Sequence, residues 1–204
     1  VWGVDIWCCD GVYYYSNGIE QYRLNTEKQS WQVAIWNGID NLSGRNIWFL
    51  GDDVYYSSGD GYQYKLNKSL RTFEKVTWNG FNDVYGVDVF VHNGKAYYCV
   101  VDSGIFEYYE LDSETQTWQV KDWEIVCTYS RGYLGVWGSY VWEYNSVLYC
   151  DNSMYGHLRY DDENDKWVEY HDWNYDMPDS SIEELAGDCV VVLNSTCYCL
   201  ENFY

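Results

Sequence analysis

The run Asn46-Ile47-Trp48-Phe49-Leu50, Gly51-Asp52-Asp53, Val54-Tyr55-Tyr56-Ser57 recurs in altered wording along the rest of the chain. Its lead returns as Ile6-Trp7, Val89-Phe90 and Val141-Trp142, and its Tyr-rich follow-on as Val12-Tyr13-Tyr14, Ala96-Tyr97-Tyr98 and Val147-Leu148-Tyr149. The steps between Trp7, Trp48, Phe90 and Trp142 are 41, 42 and 52 residues. That period belongs to radial or stacked repeats rather than to one enzyme core.

Working outward from that run, residues 46–50, 54–57, 63–67 and 72–78 are four extended segments rich in β-branched and aromatic residues, which suit a pleated, half-buried surface. Between them lie Gly51-Asp52-Asp53, Ser58-Gly59-Asp60-Gly61 and Lys68-Ser69-Leu70, where Gly and Asp supply turn conformations. Asp10-Gly11, Asn93-Gly94, Asn145-Ser146 and Asn194-Ser195 signal the first hairpin of the other copies. The unit therefore reads as a four-stranded meander. Its third segment returns as Gln21-Tyr22-Arg23-Leu24-Asn25, Tyr108-Tyr109-Glu110-Leu111-Asp112 and Leu158-Arg159-Tyr160-Asp161, alternating as a strand with one buried face does.

After each third segment come an aromatic at Trp31, Phe73, Trp118 or Trp167 and another at Trp36, Trp78, Trp123 or Trp173. Recurrence in every unit makes them packing staples between neighbours, as it does the lead residues Trp7, Trp48, Phe90 and Trp142. No stretch holds a helical period, and residues 182–185 offer one short helical turn at most.

Units of this length with a Tyr pair in the second strand and a Trp before the next unit resemble kelch-type β-propeller blades. Kelch blades carry a Gly-Gly doublet where this chain reads Gly51-Asp52 or Asn93-Gly94, so the resemblance is to a divergent class. Trp36-Asn37-Gly38, Trp78-Asn79-Gly80, Tyr55-Tyr56-Ser57-Ser58-Gly59 and the Gln-Tyr-x-Leu segments are similar to repeats in bacteriophage and gut-microbial proteins. The resemblance implies an all-β propeller with blades at about 1–42, 43–84, 85–134 and 135–180 and half of a fifth at 181–204. Closing such a propeller pairs the last blade with the first, so the expectation is a longer polypeptide or a partner that completes the ring.

The 32 acidic and 12 basic residues give a formal charge of −20, which repels phosphate backbones and anionic membranes. Nucleic-acid binding and membrane insertion are therefore not expected. The acidic run Asp161-Asp162-Glu163-Asn164-Asp165 invites comparison with a calcium loop. It aligns with the third-to-fourth strand turns of the other units, which favours a solvated turn. The chain has eight cysteines, and those at equivalent positions of neighbouring blades lie too far apart to bridge. Cys8 and Cys9 point to opposite faces of one strand, and Cys99, Cys150 and Cys199 are read at the serine position of Ser16 and Ser57. Buried thiols of this kind imply assembly in a reducing cytosol, with display on a virion or cell surface left open.

Polar residues that break the repeat are scarce. His92, His157 and His171 are read as solvated, and no motif assembles a nucleophile, a metal set or an acid pair. No catalytic residue, metal or cofactor is expected. Second-to-third loops and unit-to-unit links emerge on one face of a meander, and the irregularities gather there. Phe106 and Tyr155 fall in lengthened second-to-third loops, and Tyr129, Arg131, Tyr133 and Trp137 fall in the long link at 124–139. These six residues are candidates for binding a protein partner or a surface glycan. Val126, Leu134 and Val136 offer the plainer reading that the link covers an apolar gap. The expected function is a noncatalytic binding or assembly module, with a propeller-scaffold glycoside hydrolase or lyase and a purely structural spacer or decoration domain as alternatives.

Overall fold

The computed structural model describes residues 5–59, 61–102, 105–126, 135–152, 156–169, 190–193 and 196–199. Each repeat is an antiparallel meander. The first sheet holds β1 (Ile6–Cys9), β2 (Val12–Ser16), β3 (Gln21–Asn25) and β4 (Ser30–Val33). The second holds β5 (Ile47–Leu50), β6 (Asp53–Ser57), β7 (Gln63–Asn67) and β8 (Thr72–Val76). The third holds β9 (Val89–His92), β10 (Lys95–Asp102), β11 (Ile105–Asp112) and β12 (Thr117–Val120). The fourth holds β14 (Val141–Tyr144), β15 (Val147–Asn152), β16 (Gly156–Asp161) and β17 (Lys166–Glu169), with β13 (Glu124–Val126) added beside β17. A hairpin of β18 (Val190–Leu193) and β19 (Thr196–Cys199) begins a fifth sheet. The fold is all-β, of the propeller class, with four four-stranded blades and part of another. Helix among the described residues is confined to 3₁₀ turns such as Gly44–Asn46, Gly86–Asp88 and Gly138–Tyr140, each leading into the first strand of a blade.

By contacts the chain falls into two compact units, Val1–Ala96 with Glu110–Gln119, and Tyr97–Tyr109 with Val120–Tyr204. In the first unit the core joins blades one and two: Trp7, Cys9, Trp36 and Leu42 pack on Val54, Tyr56, Leu66 and Phe73. The lead Trp of a blade stacks on the Tyr directly across the hairpin, Trp7 on Tyr14 at 4.8 Å and Trp48 on Tyr55 at 4.5 Å between centroids. Such cross-strand pairs are the unit of sheet stabilisation. Their indole N–H groups are taken by serines at the end of the second strand, Trp7 Nε1 to Ser16 Oγ at 3.3 Å and Trp48 Nε1 to Ser57 Oγ at 3.0 Å. Both hydroxyls are fully buried, so each satisfies a donor that would otherwise be stranded.

The repeated Trp-Asn-Gly wording has a structural cause. Asn37 bridges in parallel to the outer strand of the next blade, donating its N–H to Arg71 O at 3.1 Å and accepting from Phe73 N–H at 2.8 Å. Asn79 does the same with Gln116 O (2.8 Å) and Trp118 N–H (2.9 Å). The following glycines have φ of +80° and +84°, and a Cβ on either would lie 2.2 Å from a carbonyl oxygen, Phe73 O or Trp118 O. Only glycine fits so close a backbone approach at positive φ. The preceding Trp caps the aromatic it delivers the link to, Trp36 on Phe73 at 5.9 Å and Trp78 on Trp118 at 6.4 Å.

In the second unit the same contact is enlarged. Glu124, Ile125 and Val126 pair in parallel with Lys166, Trp167 and Val168, and Trp123 meets Trp167 edge-on at 5.9 Å. The link at 124–139 thus opens as a strand. Beneath Trp123, the Asp165 carboxylate accepts from Trp123 Nε1 (3.2 Å), from Lys121 Nζ (2.6 Å) and from the Tyr160 hydroxyl. Burial alone would push the Asp165 carboxyl up, but the donors Lys121, Tyr160 and Trp123 outweigh it and hold the carboxyl below its usual range. Burial of its ring, and then the same carboxylate, push the Tyr160 phenol up.

The ladder corrects two readings of the sequence. Cys150 lies opposite Val141, as Tyr15 lies opposite Ile6 and Tyr56 opposite Ile47, so it occupies a tyrosine position and not the serine one. Cys199, opposite Val190, falls at that same register. The lead pair runs Trp7–Tyr14, Trp48–Tyr55 and Trp142–Tyr149, which places Val54 in register with Tyr13 rather than with Val12. His92 is buried, only 4% exposed, with its ring nitrogen 3.0 Å from Asn93 Nδ2, where solvent exposure was expected. Cys8 and Cys9 do point to opposite sides, one exposed and one buried, and neither they nor Cys99 and Cys150 are in disulfides. Trp173, His171, residues 182–185 and Asn194-Ser195 lie outside the described residues.

Candidate functional site

The loop-bearing face of the first unit carries a concavity with polar lining. The link after blade one supplies Ile39, Asp40 and Asn41, the loop between β6 and β7 supplies Ser58 and Tyr62, and the two strands supply Tyr56 and Tyr64; together they line a pocket of about 210 Å³. Its walls are fixed by backbone-directed bonds. The Tyr56 hydroxyl donates to Asn41 O at 3.1 Å, tying the strand to the link, and Ser58 Oγ donates to Tyr62 O at 3.1 Å, closing the turn that presents Tyr62. Gly59 lies under the Tyr85 ring, where a Cβ would collide at 2.0 Å, and its N–H donates to Val84 O at 2.9 Å. Tyr62 is 48% exposed, and the Lys75 ammonium sits 4.5 Å from its centroid. Cation–π contact of this kind orients an exposed ring.

This arrangement offers a flat aromatic, a carboxylate, an amide and hydroxyls around a shallow hollow. It is smaller than the usual cofactor or drug-sized cleft of roughly 300–1,000 Å³, and its size suits a sugar ring or one protruding side chain. A neighbouring groove of about 260 Å³ is lined by Ile19, Glu20, Gln21, Tyr22, Val33, Ala34 and Ile35 at the same end of blade one. Ile19, Val33 and Ile35 are mostly exposed there.

Of the residues singled out in the sequence, Phe106 and Trp137 are brought together in the second unit, with ring centroids 6.1 Å apart and nearly perpendicular. Phe106 also stacks on Tyr108 at 6.4 Å, and Trp137 meets Tyr140 at 6.2 Å. Phe106 lies within β11 rather than in a loop, because β10 and β11 each run for eight residues where β6 and β7 run for five. Gly135 packs so tightly under the Phe106 ring that a Cβ would meet it at 2.2 Å. The adjoining Val136 is fully buried, its N–H donating to the Tyr108 hydroxyl at 3.2 Å and its carbonyl accepting from the Cys99 thiol. Val136 thus has the gap-filling place the plainer reading assigned it, and Phe106 and Trp137 are half-buried beside it. Tyr129, Arg131, Tyr133 and Tyr155 lie outside the described residues.

Sequence reasoning missed Tyr62, Asp40 and Asn41. Tyr62 precedes the repeated Gln-Tyr-x-Leu segment at a position where blade one has Glu20. That singularity is readable in the sequence, although the insertions in the third and fourth units are longer. In the acidic turn, Asp161 accepts from the backbone and side chain of Asn164 (3.3 and 2.8 Å), and Asp165 holds Lys121, Trp123 and Tyr160. These carboxylates are occupied by protein donors. Among the described residues no group of three or more His, Cys, Asp or Glu is placed to hold a metal ion. None of the described helices is long and apolar enough to cross a membrane.

No protein-family model matches the chain, and no curated protein matches it. Solved structures do. The chain is similar to the extracellular domain of BT4673 from B. thetaiotaomicron, described as a one component system, with a TM-score of 0.52 and 11% identity over 80% of this chain and 21% of that one. It is similar to YjhT, with a TM-score of 0.53 and 14% identity over 83% of this chain and 65% of that one. A third likeness is to the extracellular domain of BT3049 from B. thetaiotaomicron, described as a hybrid two component system, with a TM-score of 0.50 and 11% identity over 92% of this chain and 24% of that one. The chain therefore spans less than two thirds of the length of each. At such identities the likeness is one of fold.

Proposed function

We propose that the chain is a noncatalytic recognition module that binds a neutral glycan through the tyrosine pocket on its loop-bearing face. The observation that carries this reading is the pairing of half-exposed Tyr62 with Asp40, Asn41, Tyr64 and Ser58 around one hollow. Aromatic rings cover the apolar face of a sugar, while carboxylate, amide and hydroxyl groups meet its equatorial hydroxyls. The extracellular placement of the BT4673 and BT3049 domains supports ligand capture at a surface. The likeness of the repeat wording to kelch-type and bacteriophage proteins points toward an adhesive or assembly role on a particle or cell. A protein ligand is the second reading, favoured by Ile19, Val33 and Ile35 exposed along the adjoining groove.

The test is a screen of the purified chain against neutral and anionic oligosaccharides, repeated with Tyr62→Ala. Binding of neutral sugars that is weakened by the variant supports the reading. Absence of signal across the panel, or signal indifferent to Tyr62, removes it and brings forward protein partners, with Trp137 and Phe106 as the next positions to alter.

A further inference from the structure

Resting on the glycan reading of the tyrosine pocket, we infer that Tyr85 is a second stacking platform, which commits the site to an extended, equatorially linked neutral oligosaccharide rather than to a single sugar ring. Tyr62, Ser58 and Tyr85 stand side by side in one row at the loop end of blade two. β6 and β7 pair Ser57 with Gln63, and Ser58 and Tyr62 keep that register, the Ser58 N–H donating to Tyr62 O at 3.2 Å. On its other side Ser58 forms an antiparallel bridge to Tyr85, from the link that follows the blade. Residues paired in this way send their side chains to one face, so Tyr85 shares a face with Ser58 and Tyr62, which line the pocket. Two strand spacings separate Tyr62 from Tyr85, about 10 Å of backbone. One pyranose ring and its linkage advance a chain by about one such spacing, so rings resting on both platforms have another between them.

The second platform is built before any ligand arrives. Tyr85 is 46% exposed, close to the 48% of Tyr62. The link that carries it is held by Gln63 Nε2 donating to Asn82 O at 3.0 Å, Gly59 N–H to Val84 O at 2.9 Å and Asp88 N–H to Tyr85 O at 3.0 Å. The far end of the Tyr85 ring rests on Gly59, where a Cβ would meet Cζ, Cε1 and Cε2 at 2.0, 2.1 and 2.3 Å. A ring already fixed in place gives up little freedom on binding.

Blade one shows that the fold does not require these aromatics. Its backbone makes the same contacts: Asn17 N–H donates to Glu20 O at 3.2 Å, Asn17 bridges Ser43, and Gly18 N–H donates to Leu42 O at 2.9 Å. There the row reads Glu20, Asn17 and Ser43, and a Cβ on Gly18 would meet nothing within 4 Å. The two blades thus share one scaffold, and of the two only the second carries a ring at both ends of the row. Two platforms in line suit a ligand whose apolar ring faces recur along a straight axis. Equatorial linkages give such a chain, whereas axial ones coil it and turn successive rings away.

The experiment is calorimetric titration of the intact chain, Tyr62→Ala, Tyr85→Ala and Tyr85→Phe with β-1,4-linked di- and tetrasaccharides of glucose, mannose and xylose, and with maltotetraose as the α-linked control. At least one β-linked tetrasaccharide should bind about tenfold tighter than its disaccharide, and tighter than maltotetraose. Tyr85→Ala should remove that gain while leaving the disaccharide affinity and the urea midpoint unchanged, and Tyr85→Phe should keep it. A tetrasaccharide no tighter than its disaccharide, a gain untouched by Tyr85→Ala, or maltotetraose bound equally well would overturn the inference; the pocket reading outlives it if Tyr62→Ala still weakens the disaccharide. Sugar binding indifferent to Tyr62, or none across the panel, removes both.

Discussion

Ser57 shows how one side chain sets the chemistry of a blade. Its hydroxyl is the acceptor for the buried Trp48 indole, so Ser57→Ala strands a donor and should cost about 2 kcal/mol in urea unfolding. Blade three carries Phe90 with Cys99 at the matching places, a pair that needs no indole acceptor. Accordingly, Trp48→Phe combined with Ser57→Ala should lose clearly less than the sum of the single changes. Additivity would show that the hydrogen bond contributes nothing. Asp165 gives a second test at this scale. Its folded carboxyl titrates below its unfolded value because Lys121, Tyr160 and Trp123 donate to it against the opposing effect of burial. The stability it contributes is therefore complete above the ordinary carboxylate range and is lost as pH falls through the folded value. Its side chain is 56% exposed, so solvent screening keeps the effect to on the order of 1 kcal/mol or less. Asp165→Asn should lower the melting temperature at neutral pH and flatten the acid limb; a limb as steep as the parent's would place the acid sensitivity elsewhere.

Among elements, the parallel links are the features with the sharpest consequence. Gly38→Ala and Gly80→Ala would drive a Cβ to 2.2 Å from a carbonyl oxygen at positive φ, and each should destabilise by about 3 kcal/mol. Gly11→Ala meets nothing within 4 Å and should cost only the backbone term, about 1 kcal/mol. Equal losses at the three sites would contradict the account of the links. The strands were legible in the sequence because the alternation of Gln63-Tyr64-Lys65-Leu66-Asn67 and the Asp-Gly and Asn-Gly turns are local signals. The links were not. Asn37 pairs with residues more than thirty positions away, and nothing in Trp36-Asn37-Gly38 alone reveals a partner at that distance. The same limit explains Phe106, whose insertion reads as a loop but is absorbed by lengthening β10 and β11.

For the whole molecule, the period of the lead aromatics Trp7, Trp48, Phe90 and Trp142 pointed to a repeated sheet, and the likeness of the units to kelch-type blades added the β-propeller class that the structure shows. That was not enough to find the pocket, which is built by Asp40 and Asn41 from a link and Tyr62 from a loop and therefore exists only once the meander brings those ends together. A negative charge of 20 and an aromatic hollow lined by one carboxylate, an amide and hydroxyls, offered to a neutral sugar, lead to one expectation about affinity: stacking and hydrogen bonds, not ion pairing, hold the ligand. The most direct test is a calorimetric titration of the strongest neutral oligosaccharide from the screen, at low and high salt, with the parent chain and with Tyr62→Ala. The account predicts an affinity nearly independent of salt and about tenfold weaker in the variant, with both proteins unfolding at the same urea concentration. Affinity that collapses with salt, or that ignores the loss of Tyr62, would contradict it.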